Sequence, residues 1–168
     1  AIGANAKKYA GTFDGQNFTI SGLFYDNDST TAGYIGLIAS LDEGGVVKNV
    51  TVSDSYLCGY RYIGAIVGQN VGGTIENCHN YSTSGFGIAG YASGTVITNC
   101  YYLAESETDS LNGTTAKTEA QFASGEVTYL LNGSKSNETV VWKQTLTGED
   151  ADTTPKFTGL VVYHDADA

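Results

Sequence analysis

Methionine is missing from the 168 residues, and proline, tryptophan and arginine occur once each. Only 15% of residues are charged, with 18 acids against 8 bases and a formal net charge of -10. A chain so short of positive charge is repelled by phosphate backbones and anionic lipid heads, so no nucleic-acid partner is expected. No apolar run approaches the roughly 18 residues of a membrane-crossing helix, and no membrane insertion is expected. Three cysteines, Cys58, Cys78 and Cys100, are too few for a disulfide scaffold, and their spacing matches no zinc pattern. The opening "AIGANAKKYAG" carries no leader or sorting pattern, and it reads as the start of a mature or excised module of something larger.

What the chain has in quantity is 22 Gly and 12 Tyr, set among abundant Ser, Thr and Asn. That is β-rich, turn-rich chemistry, and the length suits one domain with a substantial core. A seven-residue stretch recurs: "GGTIENC" at 72–78, "GTVITNC" at 94–100, "GGVVKNV" at 44–50 and, degenerately, "NFTISGL" at 17–23. Aligned on the apolar residue, Ile20, Val47, Ile75 and Ile97 share one column, and Leu23, Val50, Cys78 and Cys100 another. Between them stand Gly22, Asn49, Asn77 and Asn99, and the copies are 27, 28 and 22 residues apart. A second strand-like segment lies between copies: "YIGLIAS" at 34–40, "YIGAIVG" at 62–68 and "FGIAGYA" at 86–92.

Such a period, with one small β unit per repeat, is the signature of a solenoid. The dense leucines and recurrent helix of a leucine-rich repeat are absent, and a propeller blade needs about 40 residues. A parallel β-helix fits. Its rungs stack about 4.8 Å apart, so equivalent residues sit over one another and the letters repeat because the geometry does. Asn49, Asn77 and Asn99 are then expected as an inward-turned ladder at a corner, bonded along the stack and to backbone freed by the bend.

The motifs "GTFDGQNFTISGL", "YIGLIAS...GGVVKNV", "YIGAIVGQNVGGTIENC" and "GTVITNCYY" resemble the GLUG-motif repeat family over roughly residues 1–103. Those repeats occur in large secreted or wall-anchored bacterial proteins, including adhesins and the non-catalytic regions of immunoglobulin-A-cleaving metallopeptidases. The resemblance implies a right-handed β-helix, an extracellular or cell-surface address and no catalytic residues.

After Tyr102 the repeat stops. "TEAQFASGEVTYLLNG" switches to helical spacing, with Ala123, Val127, Leu130 and Leu131 on one face. Thr118 and Gln121 make a capping box, Gly133 suits the position after the last helical residue, and Gly125 leaves one helix or two equally open. The remainder reads as two or three strands around Trp142 and Phe157. The expectation is a β-helix over 1–103 and a small α/β cap over 104–168 that closes its open end.

Carbohydrate-processing β-helices gather acids and bases on neighbouring rungs, and a glycosidase needs two carboxylates about 5 to 9.5 Å apart. Here Glu76 aligns with Lys48 and Thr98, and Asp54 stands near Asn80 and Tyr81 with no acidic partner. No catalytic residue and no cofactor is expected. His79, in a column with Thr51 and Tyr101, reads as a solvated outward histidine, with ligand contact as the second reading. Tyr56, Tyr60, Tyr62, Tyr81, Tyr91, Tyr101 and Tyr102 fall in or near strands, and exposed aromatic rows grip sugar rings or protein partners. Tyr81, Tyr101, His79 and Tyr56 are therefore the candidate binding residues, for a host or environmental glycan or a protein surface.

Three acidic stretches, "YDNDS" (Asp26, Asn27, Asp28), "GEDAD" (Glu149, Asp150, Asp152) and the terminal "HDADA", lack full calcium-loop spacing, and no metal site is expected. Cys78 and Cys100 share a column whose parallel side chains suit two buried thiols better than a disulfide. The functional expectation is a non-catalytic extracellular module acting as adhesin, stalk or spacer. The alternatives are a carbohydrate-binding or carbohydrate-processing β-helix, and a filament subunit that associates end to end.

Overall fold

A computed structural model describes residues 2–27, 33–82, 87–105, 112–134 and 140–157. The protein is mainly β, and its named strands pair in parallel throughout. The first passage of the chain makes β1 (Thr12–Asp14), β2 (Thr19–Ser21), β3 (Phe24–Asp26) and β4 (Ile38–Leu41). The second makes β5 (Val46–Lys48), β6 (Thr51–Ser53), β7 (Tyr56–Cys58) and β8 (Val67–Val71). Then come β9 (Thr74–Tyr81), β10 (Ala89–Ser93), β11 (Val96–Leu103) and β12 (Thr115–Lys117). One sheet runs β1-β5-β9-β11-β12, with β2 and β6 alongside it. The second is β10-β8-β4 and the third is β3-β7.

The register explains the recurring letters. Val47 pairs with Ile75, Ile75 with Ile97, and Cys78 with Cys100. Ile75 and Cys78 are both fully buried although they are three residues apart in one strand. Strict alternation would turn one of them out. Asn77 between them has φ 53°, and this single left-handed residue resets the phase so that both face the core. Asn49 (φ 55°) and Asn99 (φ 54°) do the same in their repeats. Asparagine tolerates that backbone where most residues do not. In the second sheet the "IG" pairs have another cause. A Cβ on Gly64 would meet Val67 O at 2.2 Å and Gly90 N at 2.5 Å, so only glycine lets the neighbouring backbones close.

Three expectations are corrected. The first repeat is not aligned on Ile20: Phe13 pairs with Val47, and Ile20 with Val52. Gly15–Phe18 occupy the corner that Asn49 and Val50 make in the next repeat, so an insertion hides the true register from an alignment without gaps. Second, the parallel sheet continues past residue 103, because Tyr101–Leu103 of β11 pair with Thr115–Lys117 of β12. Third, among the described residues, the strands expected around Trp142 and Phe157 amount to one antiparallel bridge, Lys143 to Lys156. Residues 158–168 lie outside the described residues.

The helical stretch is two helices, α1 (Glu119–Ala123) and α2 (Glu126–Leu131), parted by Gly125 at φ 85°. Thr118 and Gln121 form the capping box: Gln121 N donates to Thr118 Oγ1 at 3.3 Å, and Thr118 N to Gln121 Oε1 at 2.9 Å. The break shifts the helical phase. Phe122, Val127 and Leu131 are buried while Ala123 is exposed, so the apolar face differs from the one expected for a continuous helix. These side chains and Trp142 form a second core against Tyr81, Tyr101 and Leu103, on the face of the first sheet opposite Cys78 and Cys100. The C-terminal segment thus lies along a flank. It extends back to the first repeat, where Phe157 meets Phe18 with ring centroids 5.9 Å apart.

Candidate functional site

The phase reset at Asn77 sends His79 and Tyr81 to the outer side of β9, and the same reset at Asn99 sends Tyr101 outward on β11. Thr51, His79 and Tyr101 pair across β6, β9 and β11, so three expected neighbours are brought together. They are not in solvent. His79 is fully buried beneath the C-terminal segment, with its ring 5.0 Å from Trp142 and 6.3 Å from Phe122. Thr51 Oγ1 lies within 3.3 Å of both ring nitrogens. Burial alone drives the His79 pKa down to about 3, so the imidazole is neutral at ordinary pH. Tyr81 packs edge-on to Phe122 at 5.1 Å, and the Tyr101 hydroxyl donates to Asn99 Oδ1 at 2.9 Å. The solvated-histidine reading is corrected: His79, Tyr81 and Tyr101 belong to an internal interface, because "QF...V...L...W" supplies an apolar face that covers them.

At the corner the three carboxamides bond head to tail. Asn99 Nδ2 donates to Asn77 Oδ1 at 2.8 Å, Asn77 Nδ2 to Asn49 Oδ1 at 3.4 Å, and Asn49 Nδ2 to Asp14 Oδ1 at 2.9 Å. Asn99 also donates to Leu131 O at 2.9 Å, which ties the row to α2. The bond from Asn49, then the Gln16 N–H and nearby Lys48, hold the Asp14 carboxyl below its ordinary pKa. The side chains are half-buried, not turned into the core. Those of Asn49 and Asn77 border a hollow of about 320 Å³ walled on its other side by Leu131, Val141 and Trp142.

The open flank lies elsewhere. Tyr56, the remaining candidate, is 47% exposed on β7 and stacks on Phe24, which is 76% exposed, at 5.7 Å. Along the entry to the second sheet Tyr34 stacks on Tyr62 at 5.4 Å, and Tyr62 meets Tyr91 edge to face at 5.2 Å. Beside them the Arg61 guanidinium lies 5.0 Å over the Tyr60 ring. Tyr34 was missing from the sequence reading of this row. Its signal was the "YIG" shared by residues 34–36 and 62–64, which aligns Tyr34 with Tyr62.

Metal chemistry finds little to use. Among the described residues no three His, Cys, Asp or Glu side chains converge. Asp152 accepts from Thr145 N at 2.9 Å and pairs with Lys156. Asp28 and the terminal "HDADA" lie outside the described residues. Cys78 and Cys100 are free buried thiols, and burial followed by the Cys100 neighbour raises the Cys78 pKa. No helix among the described residues is long and apolar enough to cross a membrane.

The family described as the GLUG motif matches residues 59–80, the stretch from the exposed Tyr60–Arg61–Tyr62 through β8 to the buried His79. The chain carries a GLUG motif. Halomucin of Haloquadratum walsbyi is 39% identical over 69 residues, which is 41% of this chain and 1% of halomucin. A protein of Evansella cellulosilytica, named as a Gly-rich membrane protein, is 33% identical over 79 residues, 45% of this chain and 9% of that protein. The chain therefore spans a small part of the relatives it matches. No solved structure matches it.

Proposed function

We propose that this GLUG-motif chain is a non-catalytic module of an extracellular or cell-surface protein, and that it acts as a rigid spacer, stalk or adhesin segment. In this reading the three parallel sheets are the faces of a right-handed β-helix, with the C-terminal segment packed along one flank. The observation that carries it is the use of polar residues. The Asn row, His79 and Asp152, which a catalyst would present to substrate, are instead engaged in holding repeat to repeat and segment to sheet. A hydrolase needs a positioned acid, base or nucleophile with access to a cleft. The cell-surface address rests on the GLUG motif and on the membrane named in one relative.

The purified chain should turn over neither polysaccharide nor peptide substrates. Turnover abolished by His79→Gln or Asp54→Asn would overturn the reading.

The exposed tyrosines favour a second reading in which the same module binds glycan along its open flank. End-to-end association is the third, since β1, β2, β3 and β12 each pair on one side only among the described strands.

A further inference from the structure

The two ends of the stack are finished differently. Past β11 the first sheet continues into β12, where Ala116 and Lys117 are buried. Where no strand follows β10 among the described residues, Asn112 Nδ2 donates to Ala89 O at 3.0 Å and to Gly90 O at 3.2 Å. At the opposite end the second sheet is also covered. Ile2 and Tyr9 bridge to Ile38 and Leu41 of β4, and between them Ala4 and Lys7 exchange bonds of 3.0 Å in a turn of their own. The passage through β1, β2 and β3 has no such cover among the described residues.

The ladder fixes what that passage presents. Val46 N donates to Gly11 O and Gly15 N to Lys48 O, both at 2.9 Å, so Gly11 and Gly15 face β5. The N–H and C=O of Thr12 and Asp14 therefore point the other way. The same parity, set by Thr51 N to Phe18 O and Tyr56 N to Leu23 O, turns out those of Thr19, Ser21, Phe24 and Asp26. The side chains agree. Phe13 and Ile20 are half-buried where their partners Val47 and Val52 are fully buried, and every residue of β3 is exposed. Beside β3 lies a hollow of about 260 Å³, lined mainly by Leu23, Phe24, Tyr34, Ile35, Leu37 and Leu57. Tyr34 is also the outermost ring of the row through Tyr62, left-handed at φ 50°, and Tyr91. Outward main-chain groups over an apolar hollow are a socket for another strand.

We propose that this end is a docking surface for one further rung of the GLUG type, supplied by the same polypeptide upstream of Ile2. Its strands lie parallel over β1, β2 and β3, with aliphatic side chains above Phe13 and Ile20 and in the hollow. Sheet order follows chain order in β1-β5-β9-β11-β12, so each rung already stacks on the one before it. Ile2 pairs with Ile38, so in the same register the position over Ile35 falls upstream of Ile2. The relatives leave room for such a rung, since the matched stretches are 1% and 9% of their lengths. A second copy is the poorer occupant, because it brings another charge of -10 to the contact. The inference rests on the reading of the chain as a rigid module of a longer protein. It adds how the module is joined: by a continuous β stack, not by a flexible linker.

A chain in which residues 44–66 are repeated directly ahead of Ile2 tests this. Val67 pairs with Ile38 and Ile38 with Ile2, so the added rung enters in phase, with its Val47 over Phe13 and its Tyr56 over Phe24. In the unextended chain the amides of Thr12, Asp14, Thr19, Ser21, Phe24 and Asp26 should exchange hydrogen rapidly. The added rung should slow them by at least about tenfold, and the same added residues in scrambled order should not. Amides equally fast with and without the rung, or equally slowed by the scrambled extension, would overturn the proposal. Protection in the unextended chain that grows with its concentration would give the edge to a second copy and overturn it too. None of these results bears on the turnover test of the module reading, so the two can fail separately.

Discussion

Asn77 serves the fold twice, through its backbone and through its amide. The left-handed φ of 53° turns both Ile75 and Cys78 inward, and the carboxamide links Asn49 to Asn99. Replacement by alanine loses both, and should cost about 2–4 kcal/mol from the broken bonds and the strained backbone together. Replacement by glycine loses only the amide and should cost about 1–2 kcal/mol less than alanine. Urea denaturation of both variants checks this, and equal costs would mean that the backbone conformation is immaterial.

His79 yields the pH dependence. Its folded pKa of about 3 lies below the ordinary 6.5, so the unfolded chain binds more protons between those values. Stability should be level above pH 6.5 and fall as pH drops toward 3, by on the order of 4–5 kcal/mol in all. Asp14 and Asp152 have depressed pKa values and lose their contributions only further into acid, so the slope between pH 6.5 and 4.5 isolates the histidine. Denaturation midpoints should be flat across that window in His79→Phe. A wild-type midpoint that does not change there would refute the burial.

At the scale of elements, the two short helices and the Trp142 strand-like stretch act as one packing unit. Gln144 is buried and donates to Phe122 O at 2.8 Å and Asp152 O at 2.9 Å, while Thr128 donates to Gln144 Oε1 at 2.6 Å. Lys117 at the end of β12 pairs with Glu126 of α2 at 2.6 Å and ties the unit to the sheet. Phe122 is fully buried against His79 and Tyr81, so Phe122→Ala should cost about 3–5 kcal/mol. Trp142 is the only tryptophan and touches His79, which makes its emission a clean reporter of the unit. The expected outcome is a red-shifted spectrum in Phe122→Ala at a denaturant concentration where the wild type is unchanged. Coincident unfolding curves would show that Phe122 contributes nothing to this interface.

Across the whole molecule, the parallel strand pairing and the columns through Val47, Ile75 and Ile97 were legible in the sequence, because stacked geometry forces like residues into like places. The first repeat was not, since the extra residues at Gly15–Phe18 shift its register without altering its composition. The Thr51–His79–Tyr101 column was legible as a column, but its covering was not. Alternation gives only the side of a sheet that a residue faces, and Phe122 and Trp142 reach that side from more than 20 residues downstream of Tyr101. The open tyrosine row depends on contacts between repeats, and on a left-handed residue that no propensity favours at Tyr62.

The C-terminal segment also separates events in time. Each repeat pairs with a neighbour fewer than 40 residues away, but Phe157 closes on Phe18 across almost the whole chain. Contacts so distant in sequence form late, because the loop entropy is spent before they return anything. The stack can therefore assemble repeat by repeat while its aromatic flank is still bare, and His79, Tyr81 and Tyr101 stay open to a neighbouring chain until the segment docks. The finished protein hides the surface on which its own folding is most vulnerable, and the hazard lasts as long as that final step.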